Sequence, residues 1–191
     1  MKQTINEIYL NFFNTLGDIN EHLPVLKEYA EKCDYVTEMG ARWGCSTFAF
    51  LSAKPKKFVS YDINKNQNIV LAENLATEEN VNFTFIQNNV LDVEIEETDL
   101  LFIDTWHKYG QLKEELNLHS NKVKKFIIFH DTESYEFNDE PDWGGLYKDI
   151  RPLSSDKQGI WPAIQELIDS GNWEIEKRLK NNNGLTIIKR K

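Results

Sequence analysis

Two short stretches carry the side chains with the most chemistry. Asp104-Thr105-Trp106-His107-Lys108-Tyr109 follows the apolar run Leu100 to Ile103, and His130-Asp131-Thr132 follows Phe126 to Phe129. Each sets a carboxylate and an imidazole just past a strand-like segment. If the two strands are neighbours, Asp104, His107, His130 and Asp131 gather at one corner. Such a set can bind a divalent cation through oxygen and nitrogen, with Asp104 and Asp131 as the core ligands. It can equally act as acid–base machinery, because imidazole titrates near neutrality. A plainer reading stays open: Asp131 closes a turn and His107 caps the helix that follows. Side chains alternate along a strand, so His130 is expected on the face opposite Asp131 unless the strand has already ended.

A third stretch is Glu38-Met39-Gly40-Ala41-Arg42-Trp43-Gly44-Cys45-Ser46-Thr47. A short strand leads into two glycines, and an apolar helix, Phe48 to Leu51, follows. Glycine allows tight turning and close backbone approach to a ligand. Ser46 or Thr47 can cap the helix, whose first N–H groups suit a carboxylate or phosphate. Glu38, at the strand's carboxyl end, and Asp62, at the end of the next strand, are placed for ribose hydroxyls. Asn89 is placed for an adenine edge. The spacing is not the G-x-G-x-x-G of dinucleotide-binding folds.

Something must hold these groups together. Residues 3–14 and 21–32 have helical periodicity. Strands and helices then alternate: strands at 34–39, 57–62, 82–87, 100–104 and 125–131, helices near 45–53, 66–77 and 108–119. The two last strands are nearly continuous apolar runs, as expected where helices cover both faces. The alternation predicts a doubly wound, mostly parallel α/β sheet. Ligands in such sheets sit outside the carboxyl ends of the strands, where Glu38, Asp62, Asn88, Asn89, Asp104, His130 and Asp131 all fall. Residues 132–159 break the pattern and are rich in aromatics, with Gly144-Gly145 among them; a segment this long is expected to be functional, here a substrate lid. A helix over 161–170, a strand over 173–179, the turn Asn181-Asn182-Asn183-Gly184 and a strand over 185–189 close the chain as an antiparallel hairpin.

The chain of 191 residues suits one domain: helices over 1–32, a ligand-binding core over 33–131, the lid over 132–159, and the helix and hairpin over 160–191. A net charge of −9 argues against general nucleic-acid binding. No apolar run approaches the length of a membrane span, and the polar start is not a secretory signal. The two cysteines, Cys33 and Cys45, form no disulfide framework or metal spacing. A cytoplasmic protein is the expectation.

The stretch Glu38-x-Gly40-x-x-x-Gly44-x-Ser46-Thr47 resembles the cofactor loop of class I S-adenosylmethionine-dependent methyltransferases. Phe102-Ile103-Asp104-x-x-His107-x-Tyr109, followed by Ile127-Ile128-Phe129-His130-Asp131-Thr132, looks like the bacterial group of macrocin O-methyltransferases and cephalosporin hydroxylase-like proteins. The terminal hairpin with Gly184-Leu185-Thr186 matches the same sheet. The resemblance implies a Rossmann-like methyltransferase fold of seven strands. It implies S-adenosylmethionine held by Glu38, Gly40, Arg42, Gly44, Ser46, Thr47, Asp62 and Asn89. Asp104 and Asp131 match positions where metal-dependent relatives hold magnesium, so Mg2+ or Mn2+ is the expected ion. The acceptor would be a small hydroxylated molecule, a sugar or phenol, and homo-oligomer contacts could complete so short a chain. His130, where relatives carry Asp-Asn or paired acids, departs from the pattern. A non-catalytic cofactor-binding module and a nicotinamide-dependent oxidoreductase are the alternatives.

Overall fold

A computed structural model describes residues 3–142 and 155–191. Six α-helices and seven strands are present among them: α1 (Ile5–Asn14), α2 (Leu23–Ala30), β1 (Tyr35–Met39), α3 (Cys45–Ala53), β2 (Lys57–Asp62), α4 (Gln67–Glu78), β3 (Phe83–Gln87), β4 (Thr98–Ile103), α5 (Tyr109–His119), β5 (Val123–His130), α6 (Trp161–Asp169), β6 (Trp173–Leu179) and β7 (Leu185–Arg190). The sheet runs β3-β2-β1-β4-β5-β7-β6. The first five strands in that order are mutually parallel, and β7 lies antiparallel between β5 and β6. The doubly wound α/β expectation therefore holds, including the antiparallel hairpin.

Strand alternation divides the core. Val36, Leu100, Phe102 and Ile128 face a layer containing α1, α2, α3 and α4, whereas Met39, Leu101, Ile103, Ile127 and Phe129 face α5 and α6. Phe50 of α3 stacks edge-on against Phe58 and Phe102 at 5.6 and 5.4 Å; such pairs add about 0.5–1.5 kcal/mol to area burial. All of Phe48 to Leu51 is buried, so α3 is fixed on the sheet as a rigid start point for the loop before it. Helix α1 begins with a reciprocal capping box between Thr4 and Glu7. The segment expected as one helix over 21–32 splits into a 3-10 turn, Asn20–His22, and α2, with Pro24 in the first turn of α2, where its missing N–H costs nothing.

The order of strands reverses between β1 and β4, which run side by side from Val36↔Leu100 to Met39↔Ile103. Ile103 pairs in turn with Phe129 of β5. Gly40, Asp104 and His130 therefore sit at one level on the carboxyl rim. Ligands in open α/β sheets bind at this kind of crevice.

Candidate active site

The glycine loop is held from beneath. Glu38 lies on the α3 face of β1 with no exposed surface. Its carboxylate accepts from Ser46 Oγ at 2.6 Å, Thr47 Oγ1 at 2.7 Å and Ser60 Oγ at 2.5 Å. Burial pushes its pKa up to about 7 against the pull of those hydroxyls. The ribose contact expected of Glu38 is thus replaced by a brace tying β1, β2 and α3 together. Ser46 and Thr47 are also buried and turned to Glu38, so neither caps α3 or faces the crevice. The cap is Gly44, with φ of +81°, and no side chain bonds to the first turn's amides. Those amides are the part of the expected ligand site that remains on the rim.

Asp62 performs a different task from a bare ribose ligand. Its Oδ2 accepts from the N–H groups of Ala41 (2.9 Å) and Arg42 (2.8 Å), and its Oδ1 from Asn64 (2.9 Å). Asp62 therefore fixes the loop's curvature. Arg42 is held there with φ of +40°, and its Nη1 reaches Asp18 at 3.1 Å on the exposed rim. Asn89 caps the 3-10 turn Val90–Asp92 through Leu91 N–H at 3.0 Å. Gly40 has φ of +87°, and a Cβ there would lie 2.0 Å from the Asp104 carbonyl oxygen. The glycine is required by the meeting of β1 and β4, whereas the sequence pattern suggested approach to a ligand.

Asp104 and Asp131 do come together, with His107 between them. His107 Nε2 lies 3.2 Å from Asp104 Oδ1 and 3.2 Å from Asp131 Oδ2. The three donor atoms fall within 4.8 Å of one another. Burial disfavours the charged form of His107, but Asp104, Glu140 and Asp131 outweigh it and raise its pKa to about 10. Burial also pushes Asp104 upward, and His130 and His107 more than reverse it, holding the carboxyl well below its usual range. Asp131 is raised, by burial and then by the Asp104 charge. An imidazolium at His107 carries no lone pair, so in this arrangement it is a poor proton acceptor. Nor does it cap α5, whose cap residue is Lys108.

Strand β5 ends at His130, and Asp131 adopts φ of +58°. That turn breaks the alternation and brings both side chains to one corner. His130 Nδ1 sits 3.2 Å from Asp131 Oδ1 and 3.5 Å from Asp104 Oδ1, but neither contact has hydrogen-bond geometry. Only 2% of His130 is exposed, and His22 packs edge-on against it at 5.3 Å. A direct role for His130 as a base touching an acceptor does not fit this burial; it backs the carboxylates. His22 itself is lowered to about 4 by burial and then by His130.

The residues that hold His107 carry no local signature. Glu140 Oε2 accepts from His107 Nδ1 (2.9 Å) and from its N–H (3.2 Å), and Glu140 N–H donates to the His107 carbonyl (2.9 Å). Tyr135 stacks on the imidazole at 4.8 Å and 13°. Glu136 pairs with Arg178 at 2.6 Å, and Ile160 and Trp161 donate to the carbonyls of Tyr135 and Glu136. Tyr135, Glu136 and Glu140 are therefore tied into the corner, whereas Phe137, Asn138, Pro141 and Asp142 are exposed. Gly144-Gly145 and the rest of the expected lid through 154 lie outside the described residues. Nothing in the periodicity of this irregular segment marks Tyr135 or Glu140 as partners of residue 107.

No protein-family model matches the sequence, and no curated protein sequence matches it. Solved structures do match. A Staphylococcus aureus protein described as a caffeoyl-CoA O-methyltransferase superposes with a TM-score of 0.64 at 16% identity, over 100% of this chain and 93% of that one. The Podospora anserina methyltransferase PaMTH1, bound to S-adenosylhomocysteine (SAH), gives 0.59 at 15%, over 100% and 89%. The N-methyltransferase NodS of Bradyrhizobium japonicum, also with SAH, gives 0.63 at 11%, over 98% and 99%. At these identities the likeness is one of architecture, and it agrees with the strand order, the reversed β7 and the helices on both faces: the chain has the Rossmann-like α/β fold of class I methyltransferases.

Proposed function

We propose that the protein is an S-adenosylmethionine-dependent methyltransferase that methylates a hydroxyl of a small acceptor, assisted by a divalent cation at Asp104 and Asp131. The observation that carries this reading is the contact between the two halves of the site. Gly40 of the loop rests on the Asp104 backbone, where even a Cβ could not fit. A methyl donor in the loop and an acceptor at the carboxylate corner would therefore be neighbours. The first turn of α3, which no side chain caps, suits the donor's carboxylate, and Asp62, at the end of β2, and Asn89, just past β3, would lie toward its ribose and adenine. The SAH found in PaMTH1 and NodS supports the same cofactor.

Bound S-adenosylmethionine would supply an activated methyl group. In the transfer, an acceptor oxygen lone pair would form the O–C bond as the C–S bond breaks, leaving SAH, and the acceptor's proton would pass to water. The protein's part is alignment. Glu38 locks the loop to the sheet, Asp62 sets its curve, and Tyr135 and Glu140 immobilise His107. Asp104 and Asp131 would hold a cation, whose contribution is to lower the acceptor's pKa and orient it. The donor set fits: two converging carboxylates beside an imidazole, with Asp131 Oδ1 buried and without a hydrogen bond. Among the described residues no helix is long and apolar enough to cross a membrane, and Cys33 and Cys45 are unpaired.

The test is a screen for SAH release against sugar and phenolic hydroxyls. Turnover on one hydroxyl class supports the reading. Tight cofactor binding with no turnover on any acceptor would favour a silent binding module.

A further inference from the structure

We propose that His107 is itself a metal ligand through Nε2, and that Glu140 is the residue that turns this nitrogen toward Asp104 and Asp131. The inference rests on the cation site of the proposed function and adds to it a nitrogen donor and a metal preference. Glu140 grips residue 107 at three points, one of them its backbone N–H. A backbone N–H can only donate, so Oε2 is an acceptor there. The ring nitrogen facing the same oxygen, Nδ1, must then carry a proton. The second proton of the imidazolium then sits on Nε2, between two carboxylate oxygens each 3.2 Å away; a cation that displaces this proton meets the Nε2 lone pair and both oxygens.

Three electron-rich atoms converge on one spot, where a proton supplies the positive charge in the metal-free chain and a divalent cation can take its place. Adjacent ligands of an octahedral ion, each about 2.1 Å from it, are separated by roughly 3 Å. The two separations from Nε2 match that spacing. A second feature points the same way: Asp131 is 6% exposed, yet its Oδ1 has no hydrogen bond. The stacked Tyr135 ring fixes the imidazole plane, so the direction of the lone pair is built in. A carboxylate that fixes the tautomer of a ligating histidine is a recurrent arrangement around protein-bound metals.

Two consequences follow. One nitrogen and two oxygens suit Mn2+, Fe2+ or Co2+ better than Mg2+, which favours an all-oxygen shell. A coordinated Nε2 also cannot act as the base.

The experiment loads the chelator-stripped full chain with Mn2+ and reads it by electron paramagnetic resonance, with electron spin-echo modulation to detect coordinated nitrogen. The expected result is one bound Mn2+ per chain, nitrogen modulation from imidazole, and at least tenfold weaker binding of Mg2+ in competition. His107→Asn should abolish the modulation while Asp104 and Asp131 retain weaker Mn2+ binding. Glu140→Leu should weaken Mn2+ binding about 10–100-fold, and Glu140→Gln, which keeps an acceptor oxygen, should restore most of it. Circular dichroism checks that each variant is folded. Mn2+ binding that depends on Asp104 but shows no nitrogen modulation in the wild type would overturn the role of His107 and leave the carboxylate site standing. Absence of Mn2+ binding in the wild type would overturn both. Neither outcome bears on S-adenosylmethionine binding, which is measured separately.

Discussion

Replacing Gly40 with alanine separates a structural requirement from a ligand requirement. The residue has φ of +87°, a left-handed conformation that costs an L-residue about 1–2 kcal/mol. The new Cβ would lie 2.0 Å from the Asp104 carbonyl oxygen and 2.6 Å from its carbon. Both are backbone atoms, so β1 and β4 must part to make room. Forcing a carbon into such a packed place costs about 1–3 kcal/mol more. The sum is about 2–5 kcal/mol, equivalent to a fall in Tm of about 4–20 °C in a protein of this size. Gly44→Ala is the control. Its φ is +81°, but its nearest neighbours are at 3.5 Å and beyond, so only the conformational cost of about 1–2 kcal/mol applies. Thermal unfolding monitored by circular dichroism, without cofactor, reads both. Gly40→Ala should be clearly the less stable of the two. Equal stabilities would refute the claim that the approach to Asp104 is what demands a glycine.

Other outcomes follow from the same geometry. Glu38 titrates near 7 in the folded protein against about 4.3 in an unfolded chain. A raised carboxyl binds its proton more tightly when folded, so its contribution is fully present below the unfolded pKa and is lost as pH rises through 7. Glu38→Gln removes the ionisation; its stability relative to wild type should rise between about pH 4.5 and 7 by up to roughly 3 kcal/mol, as read by urea unfolding across that range, and a flat difference would contradict the burial argument. Asp62→Ala strips the acceptor from Ala41 and Arg42. With charged hydrogen bonds worth about 1.5–3 kcal/mol, calorimetry should show S-adenosylmethionine affinity at least tenfold lower. Chelation should stop methyl transfer and Mn2+ should restore it; full activity in excess chelator would remove the cation from the mechanism.

Most of the architecture was legible because its signals are local. Leu100 to Ile103 and Phe126 to Phe129 could only be strands covered on both faces, and the Asn181–Gly184 turn announced the hairpin. The strand-end rule then placed Asp104 beside Asp131 without any contact information. The errors came where one residue type serves two purposes. A glutamate before a glycine loop looks like a ribose ligand, yet period-two alternation sends Glu38 into the α3 face, where hydroxyls from β2 and α3 meet it. Gly40 was read as room for a ligand, and the room is taken by another strand's backbone. His130 and Asp131 were assigned opposite faces by alternation, which the left-handed turn at Asp131 cancels. Tyr135 and Glu140 were invisible because they reach His107 across an irregular segment, and no periodicity encodes such a contact.

The central claim, that the loop between β1 and α3 holds a sulfonium cofactor, is tested most directly by calorimetric titration of the purified protein with S-adenosylmethionine, SAH and NAD. Saturable one-to-one binding of the first two, with no heat from NAD, is the predicted result. Binding of NAD together with none of S-adenosylmethionine or SAH would contradict it.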